Sequence, residues 1–278
     1  MTVAADQSGP ARRRLRQPRL ANMVAGELRE RILAGALPDG ALLPKQEDLL
    51  AEFGVSLPSI REALRILETE GLVTVVRGNT GGAIVRAPQA GKVAYMLGLV
   101  LQSRGVEVGD VEDALRRFEP TCAALAADRD DRATTVVPAL RARIASSAAV
   151  LEDGDEYVHQ ARSFHEDLVA GCGNETVILV VGALESLWTA HVDQLVRRPS
   201  KLGPFDDVAV RERSLEDHTY LVDAIESGNA ELAEELAQAH YGEARRHEFA
   251  SAGTTVQATL LDVDWSASQA RPPASPVG

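Results

Sequence analysis

Cysteine and long apolar runs are both scarce in this 278-residue chain. Its two cysteines, Cys122 and Cys172, lack CxxC spacing, which excludes a disulfide scaffold and fits a reducing compartment. The longest apolar stretch, Val177 to Leu184, contains a glycine and falls far short of the roughly 20 residues of a spanning helix. The basic N-terminus (Arg12, Arg13, Arg14, Arg16) is followed by no apolar segment, so neither a signal peptide nor a membrane anchor is expected. What is present is ordinary for a globular protein: 45% hydrophobic and 25% charged residues, enough for a core and for two domains. These features predict a soluble, cytoplasmic protein with no membrane partner.

A net charge of −12 argues against nucleic acid as a partner, but the average hides an asymmetry. Residues 1–87 hold 12 basic against 10 acidic side chains, and residues 88–278 hold 17 against 31. A mildly basic head on an acidic body points to two domains with different partners.

Residues 1–18, with Pro10 and Pro18 and no apolar periodicity, read as a flexible basic arm. From there Leu20, Val24, Leu28 and Ile32 recur at every fourth residue, and Gly35 supplies a stop. A short helix over Lys45–Glu52 breaks at Gly54. Ser56 then serves as N-cap of a second helix, Pro58–Thr69, with Pro58 in its first turn, where a missing N–H is tolerated. Leu72–Val76 and Ala83–Val85 flank Gly78-Asn79-Thr80-Gly81-Gly82 as a hairpin. Helix, helix, turn, helix, hairpin is the order of a winged helix-turn-helix over 19–87.

The stretches Gly35–Pro44, Leu49–Ser56, Ile60-Arg-Glu-Ala-Leu64 and Leu67–Leu72 closely resemble the DNA-binding domain of GntR-type bacterial transcription regulators. That resemblance implies a recognition helix starting near Ser56 and a wing approaching the minor groove. It also implies double-stranded DNA with a palindromic operator as partner. Leu57 and Glu47 stand where the family often has arginine, so the operator should be read differently from the commonest ones. Arg61, on the exposed face of that helix, is the best base reader, because a guanidinium can bond guanine O6 and N7 together. Arg65 one turn on, Lys45 and Ser59 are candidate phosphate contacts, while Ser56 at the helix start and Arg77 at the base of the wing are further DNA-binding candidates. Gly81 and Gly82 permit close backbone approach or form a plain turn.

The acidic body reads as all-α. Residues 88–105 form a linker or helix. Helices follow over Val111–Ala127, Thr134–Leu151, Asp155–Ala170, Val177–Arg197, Val208–Ser227 and Glu231–Ala250, punctuated at Pro138, Gly154, Gly171–Asn174, Pro199 and Gly228-Asn229. An antiparallel helical bundle over 106–250 is the expected fold, and the Ser/Ala/Pro-rich residues 251–278 are expected to be disordered.

All six histidines lie in this body. His218 and His240 stand eleven residues either side of Asn229. Two antiparallel helices joined there hold both imidazoles about 16 Å from the turn. With His165 on a third helix, a metal site inside the bundle becomes chemically reasonable, although buried histidines are often only hydrogen-bonded.

Phe118–Ala127, Phe164-His165 with Gly173-Asn174, and Glu216-Asp-His218 followed by Ala224–Asn229 and His240 resemble the FCD ligand-binding domain of the FadR subfamily. The resemblance implies Zn²⁺ or another divalent transition metal on His165, His218 and His240. It also implies a small-molecule effector near Arg116, Glu119 and His191, and a homodimer. Two positions depart from it. Ala161 replaces the family's aspartate four residues before His165, and Leu115 replaces an arginine four before Glu119. A metal-assisted carboxylate effector and a metal-free acyl or apolar one therefore both remain open. An alternative, a metal-dependent helical-bundle enzyme, has little behind it: His165-Glu166 opens like a zinc-protease helix, but Val169 stands at the second ligand position. The reading is a ligand-responsive DNA-binding transcription regulator, a repressor by resemblance, and not an enzyme.

Overall fold

The computed structural model describes residues 17–76, 82–88, 90–196, 207–244 and 253–261. It divides into two compact units, with the boundary between Pro88 and Gln89.

In the first unit, α1 (Gln17–Leu33), α2 (Gln46–Phe53) and α3 (Leu57–Thr69) are followed by β1 (Val73–Val76) and β2 (Gly82–Val85). The four-residue spacing in α1 buries Val24, Leu28 and Ile32 along one stripe. That stripe meets Leu49 of α2, Ile60, Leu64 and Leu67 of α3, and Val85 of the hairpin in one core. Each such aliphatic side chain contributes about 1.5–3 kcal/mol when removed from water. Between α2 and α3 the chain must turn within a few residues. Gly54 achieves this at φ +61°, its N–H closing onto Leu50 O, a backbone state that side chains with a Cβ rarely adopt. Ser56 is the extended residue ahead of α3, with Pro58 in the first turn. The hairpin pairs antiparallel from Val73↔Val85 to Val76↔Gly82. A segment ahead of α2 joins it: Leu42 bridges Ile84, Leu43 N–H donates to Ala83 O (2.8 Å) and Val85 N–H to Ala41 O (2.8 Å). The wing thus has a third edge at its base.

The second unit contains α4 (Ala90–Ser103), α5 (Val108–Ala127), α6 (Arg132–Ala149), α7 (Gly154–Gly171), α8 (Glu175–Val196), α9 (Val208–Ser227) and α10 (Ala230–Ala244). α5 is the central helix. Its Ala123, Ala126 and Ala127 face a core with Leu140, Phe164, Leu221 and Ile225. Its Val108, Val111, Leu115 and Cys122 face another with Leu187, Trp188 and Val192. Gly228, at φ +74°, ends α9, and the Asn229 side chain accepts from Leu232 N–H (3.1 Å) to start α10. A winged helix-turn-helix and an all-α bundle are therefore both present.

Ala90–Ser103 forms a helix, one of the two forms expected for that stretch. Three details differ from the sequence reading. Pro138 does not punctuate a junction; it sits inside α6, where burial of Val136, Val137 and Leu140 carries the helix across one missing N–H. Part of the segment read as disordered is folded: Gly253–Leu261 packs onto the bundle with Val256 and Ala258 fully buried. Finally, Glu175–Gln194 of α8 is long and apolar enough, by length and composition alone, to cross a membrane, with Glu185 as the one charge in its interior. α8 nevertheless packs against α4, α5 and α7 as a core helix.

Candidate functional site

Each unit carries one candidate site. On the first, α3 exposes Arg61 and Arg65, with Ser56 and Lys45 exposed at the starts of α3 and α2. Arg61 forms no ion pair among the described residues, whereas Arg65 is held by both carboxylate oxygens of Glu62 at 3.1 Å. Ser59 is only 1% exposed and its Oγ lies 3.1 Å from Ser56 Oγ. It therefore stiffens the start of α3 and is out of a phosphate's reach. Gly82 opens β2 against Leu42. Arg77 and Gly81 lie outside the described residues, as does most of the basic arm.

In the second unit, α7, α9 and α10 bring His165, His218 and His240 together, with one ring nitrogen from each within 4.8 Å of the others. His218 Nε2 and His240 Nε2 are 3.3 Å apart. The opposite nitrogens are held from outside: His165 Nδ1 lies 2.8 Å from Glu119 Oε2 and 2.8 Å from the Tyr241 hydroxyl. His240 Nδ1 lies 3.1 Å from Asp217 Oδ2. A carboxylate accepts from an Nδ1–H, which leaves the Nε2 lone pair for a ligand and fixes how the ring is aimed. Phe164 stacks on the His218 ring at 3.9 Å between centroids.

Burial is the main influence on these rings. It pushes His165 well below the ordinary histidine range, helped by the Arg162 charge. It lowers His218 likewise, helped by His240. Both are therefore neutral, the form that binds a metal. Burial also opposes the charge of Arg162, but the facing Glu185 keeps it protonated; the two form an ion pair at 11% and 2% side-chain exposure. Burial raises Glu185 well above the usual carboxylate range against the pull of Arg162, and Glu119 beside it raises it further. Arg162 Nε and His218 Nδ1 are buried with no hydrogen-bond partner among the described residues.

The buried cluster thus gathers His165, His218, His240 and Glu119, together with Arg162, Glu185 and Tyr241, which sequence reasoning passed over. Arg162 was legible as a neighbour three residues before His165 on the same helix face. Glu185 is a single charge directly after the apolar run Val177–Leu184, with no pattern to mark it as buried. Two sequence candidates belong elsewhere. Arg116 pairs with Asp113 (2.6 Å), and His191 binds Leu187 O and Gln257 N–H, so neither is placed to read a ligand in the cluster. His159 is exposed.

Comparison with known proteins finds a match for each unit. Residues 20–81 match the bacterial regulatory proteins of the gntR family, and residues 110–243 match the FCD domain. The HTH-type transcriptional repressor NanR of Cronobacter sakazakii is 26% identical, over 82% of this chain and 85% of its own length. The repressor of the same name from Klebsiella aerogenes is 28% identical over the same shares. A solved GntR structure from Streptococcus agalactiae shares the fold, with a TM-score of 0.61 at 22% identity, over 82% of this chain and all of that one. These domains and relatives are those of regulators rather than enzymes. The chain accordingly belongs to the GntR family, as a ligand-responsive, DNA-binding transcription regulator built from a winged helix-turn-helix and an FCD domain.

Proposed function

We propose that this chain is a cytoplasmic, homodimeric repressor whose FCD domain holds a divalent transition metal on His165, His218 and His240. A small carboxylate effector bound beside that metal changes affinity for a palindromic operator. The observation carrying this reading is the aim of the rings. A tetrahedral ion bound at ordinary Zn–N length separates two nitrogens by about 3.3 Å, the spacing of His218 and His240 Nε2 (3.3 Å). Glu119 and Asp217 hold the far side of two of the rings. When bound, such an ion supplies a Lewis-acidic anchor for an anionic ligand.

The protein's own groups favour a carboxylate over an acyl chain. Arg162 brings a buried cation with an uncommitted Nε–H, which offsets the missing arginine at Leu115. Tyr241 and the Glu119–Glu185 pair make the surroundings polar. With Ala161 where the family carries aspartate, an effector carboxylate is left to supply the anionic ligand. The relatives' role as repressors supports the same sign here. Palindromic recognition supports two copies, because one winged helix contacts few base pairs.

Elemental analysis of the purified chain tests the reading. We expect one transition-metal ion per chain, loss of most of it in each single His→Ala variant, and tighter retention in Ala161→Asp. If wild type and Ala161→Asp both fail to hold stoichiometric metal after incubation with zinc, the three histidines are polar lining only.

A further inference from the structure

Residues Gly253–Leu261 lie along α4, the start of α5 and α8 as a short strap. Val108 N–H donates to Thr254 O (2.8 Å) and Val256 N–H to Val106 O (2.9 Å), an antiparallel bridge centred on Glu107 and Thr255. Ala258 N–H donates to Gln102 Oε1 of α4 (3.0 Å). Gln257 N–H donates to His191 Nε2 of α8 (3.0 Å). His191 Nδ1 lies 2.6 Å from Leu187 O, an acceptor only, so Nδ1 carries the proton and Nε2 offers the lone pair that receives the strap. The buried His191 is therefore fully occupied as a fastening.

α4 is shaped for this segment. At Gly98 an added Cβ would lie 3.1 Å from Ala258 Cβ and 3.3 Å from its Cα, and 2.9 Å from Leu187 Cδ2. Glycine inside a helix costs about 1 kcal/mol relative to alanine. Here it lets the strap and α8 close on α4 together.

We propose that the strap is a latch on α4, the first helix after the DNA-binding unit in the chain, and that its state tunes operator affinity. α4 packs mainly on two elements, α8 and the strap, so release of the strap removes one of its two supports. The fastening is slight: a few backbone hydrogen bonds and two buried side chains, the make-up of a segment that opens at low local cost. It is also placed to sense the buried site, since Glu185 and His191 lie six residues apart on α8, about 9 Å along its axis. The latch does not depend on whether a metal is held.

The test uses the full chain with Gln257→Pro, which removes the N–H given to His191 and cannot keep the φ of −124° found there. A chain ending at residue 252 serves as the second variant. The probe is a duplex selected by the wild-type protein from a random pool. Amide exchange in α4 should quicken at least tenfold while α6, α9 and α10 stay protected, and operator affinity by fluorescence anisotropy should shift at least fivefold. Unchanged α4 exchange in both variants would show that the strap restrains nothing. Loosened α4 with affinity within twofold of wild type would show that it restrains without signalling. Either result overturns the proposal.

Discussion

Arg61 and the buried histidines put opposite demands on a side chain. Arg61 works by exposure: it is uncommitted to any acid among the described residues, while its neighbour Arg65 is engaged by Glu62. Replacing Arg61 by alanine should cost roughly 1–3 kcal/mol on the cognate duplex and flatten base preference at one position. Binding competitions with wild-type and base-substituted duplexes would measure it, and an unchanged profile would remove Arg61 from base reading. His165 and His218 work by burial, which holds both below the ordinary histidine range. In the unfolded chain they take up protons near pH 6.5, while the folded domain refuses them. Their contribution is thus complete above about pH 6.5 and declines as pH falls toward the depressed folded value. Thermal melts of metal-free protein should show a Tm that drops from pH 7 to pH 5, less steeply in His218→Gln. A flat Tm in wild type over that range would contradict the assignment.

Among the elements, those governed by local pattern were legible and those governed by distant contacts were not. α1 and α3 announce themselves by apolar spacing, and α9 and α10 by Gly228-Asn229, which is why His218 and His240 could be paired from spacing alone. Pro138 misled because a proline signal is local, whereas the burial of Val136, Val137 and Leu140 that holds α6 together comes from other helices. The strap was invisible for a related reason. Its composition is that of a loose tail, and only the notch at Gly98 and the lone pair of His191, both far away in sequence, give it a place to lie. Arg162 and Glu185 escaped because a buried ion pair leaves no periodic trace; each looks like an ordinary charge on an ordinary helix.

For the molecule as a whole, the charge asymmetry between residues 1–87 and 88–278 coincides with a real boundary at Pro88. It separates a mildly basic unit, which matches a DNA-binding domain, from a strongly acidic one, which matches the FCD domain. α4 leaves Val93, Met96 and Val100 exposed, and α8 leaves Leu179 and Val180 exposed; apolar faces of this kind suit a second copy. Light scattering at micromolar concentration should return twice the chain mass of 29.7 kDa, and a protected footprint should show two half-sites about one helical turn apart or a multiple of it. A monomer that still binds one half-site tightly would refute the dimeric reading.

The bridge from Leu42 to Ile84 bears on how such a half-site is composed. Because the hairpin base is stitched to the segment that enters α2, the hairpin base and the helices of the head turn together, like the jaws of a fixed-gauge calliper. For a head that reads bases with α3 and meets the neighbouring groove with its wing, the offset between the two is then a constant of the protein. Operators of this regulator should tolerate base changes within either contact better than a single base pair inserted between them.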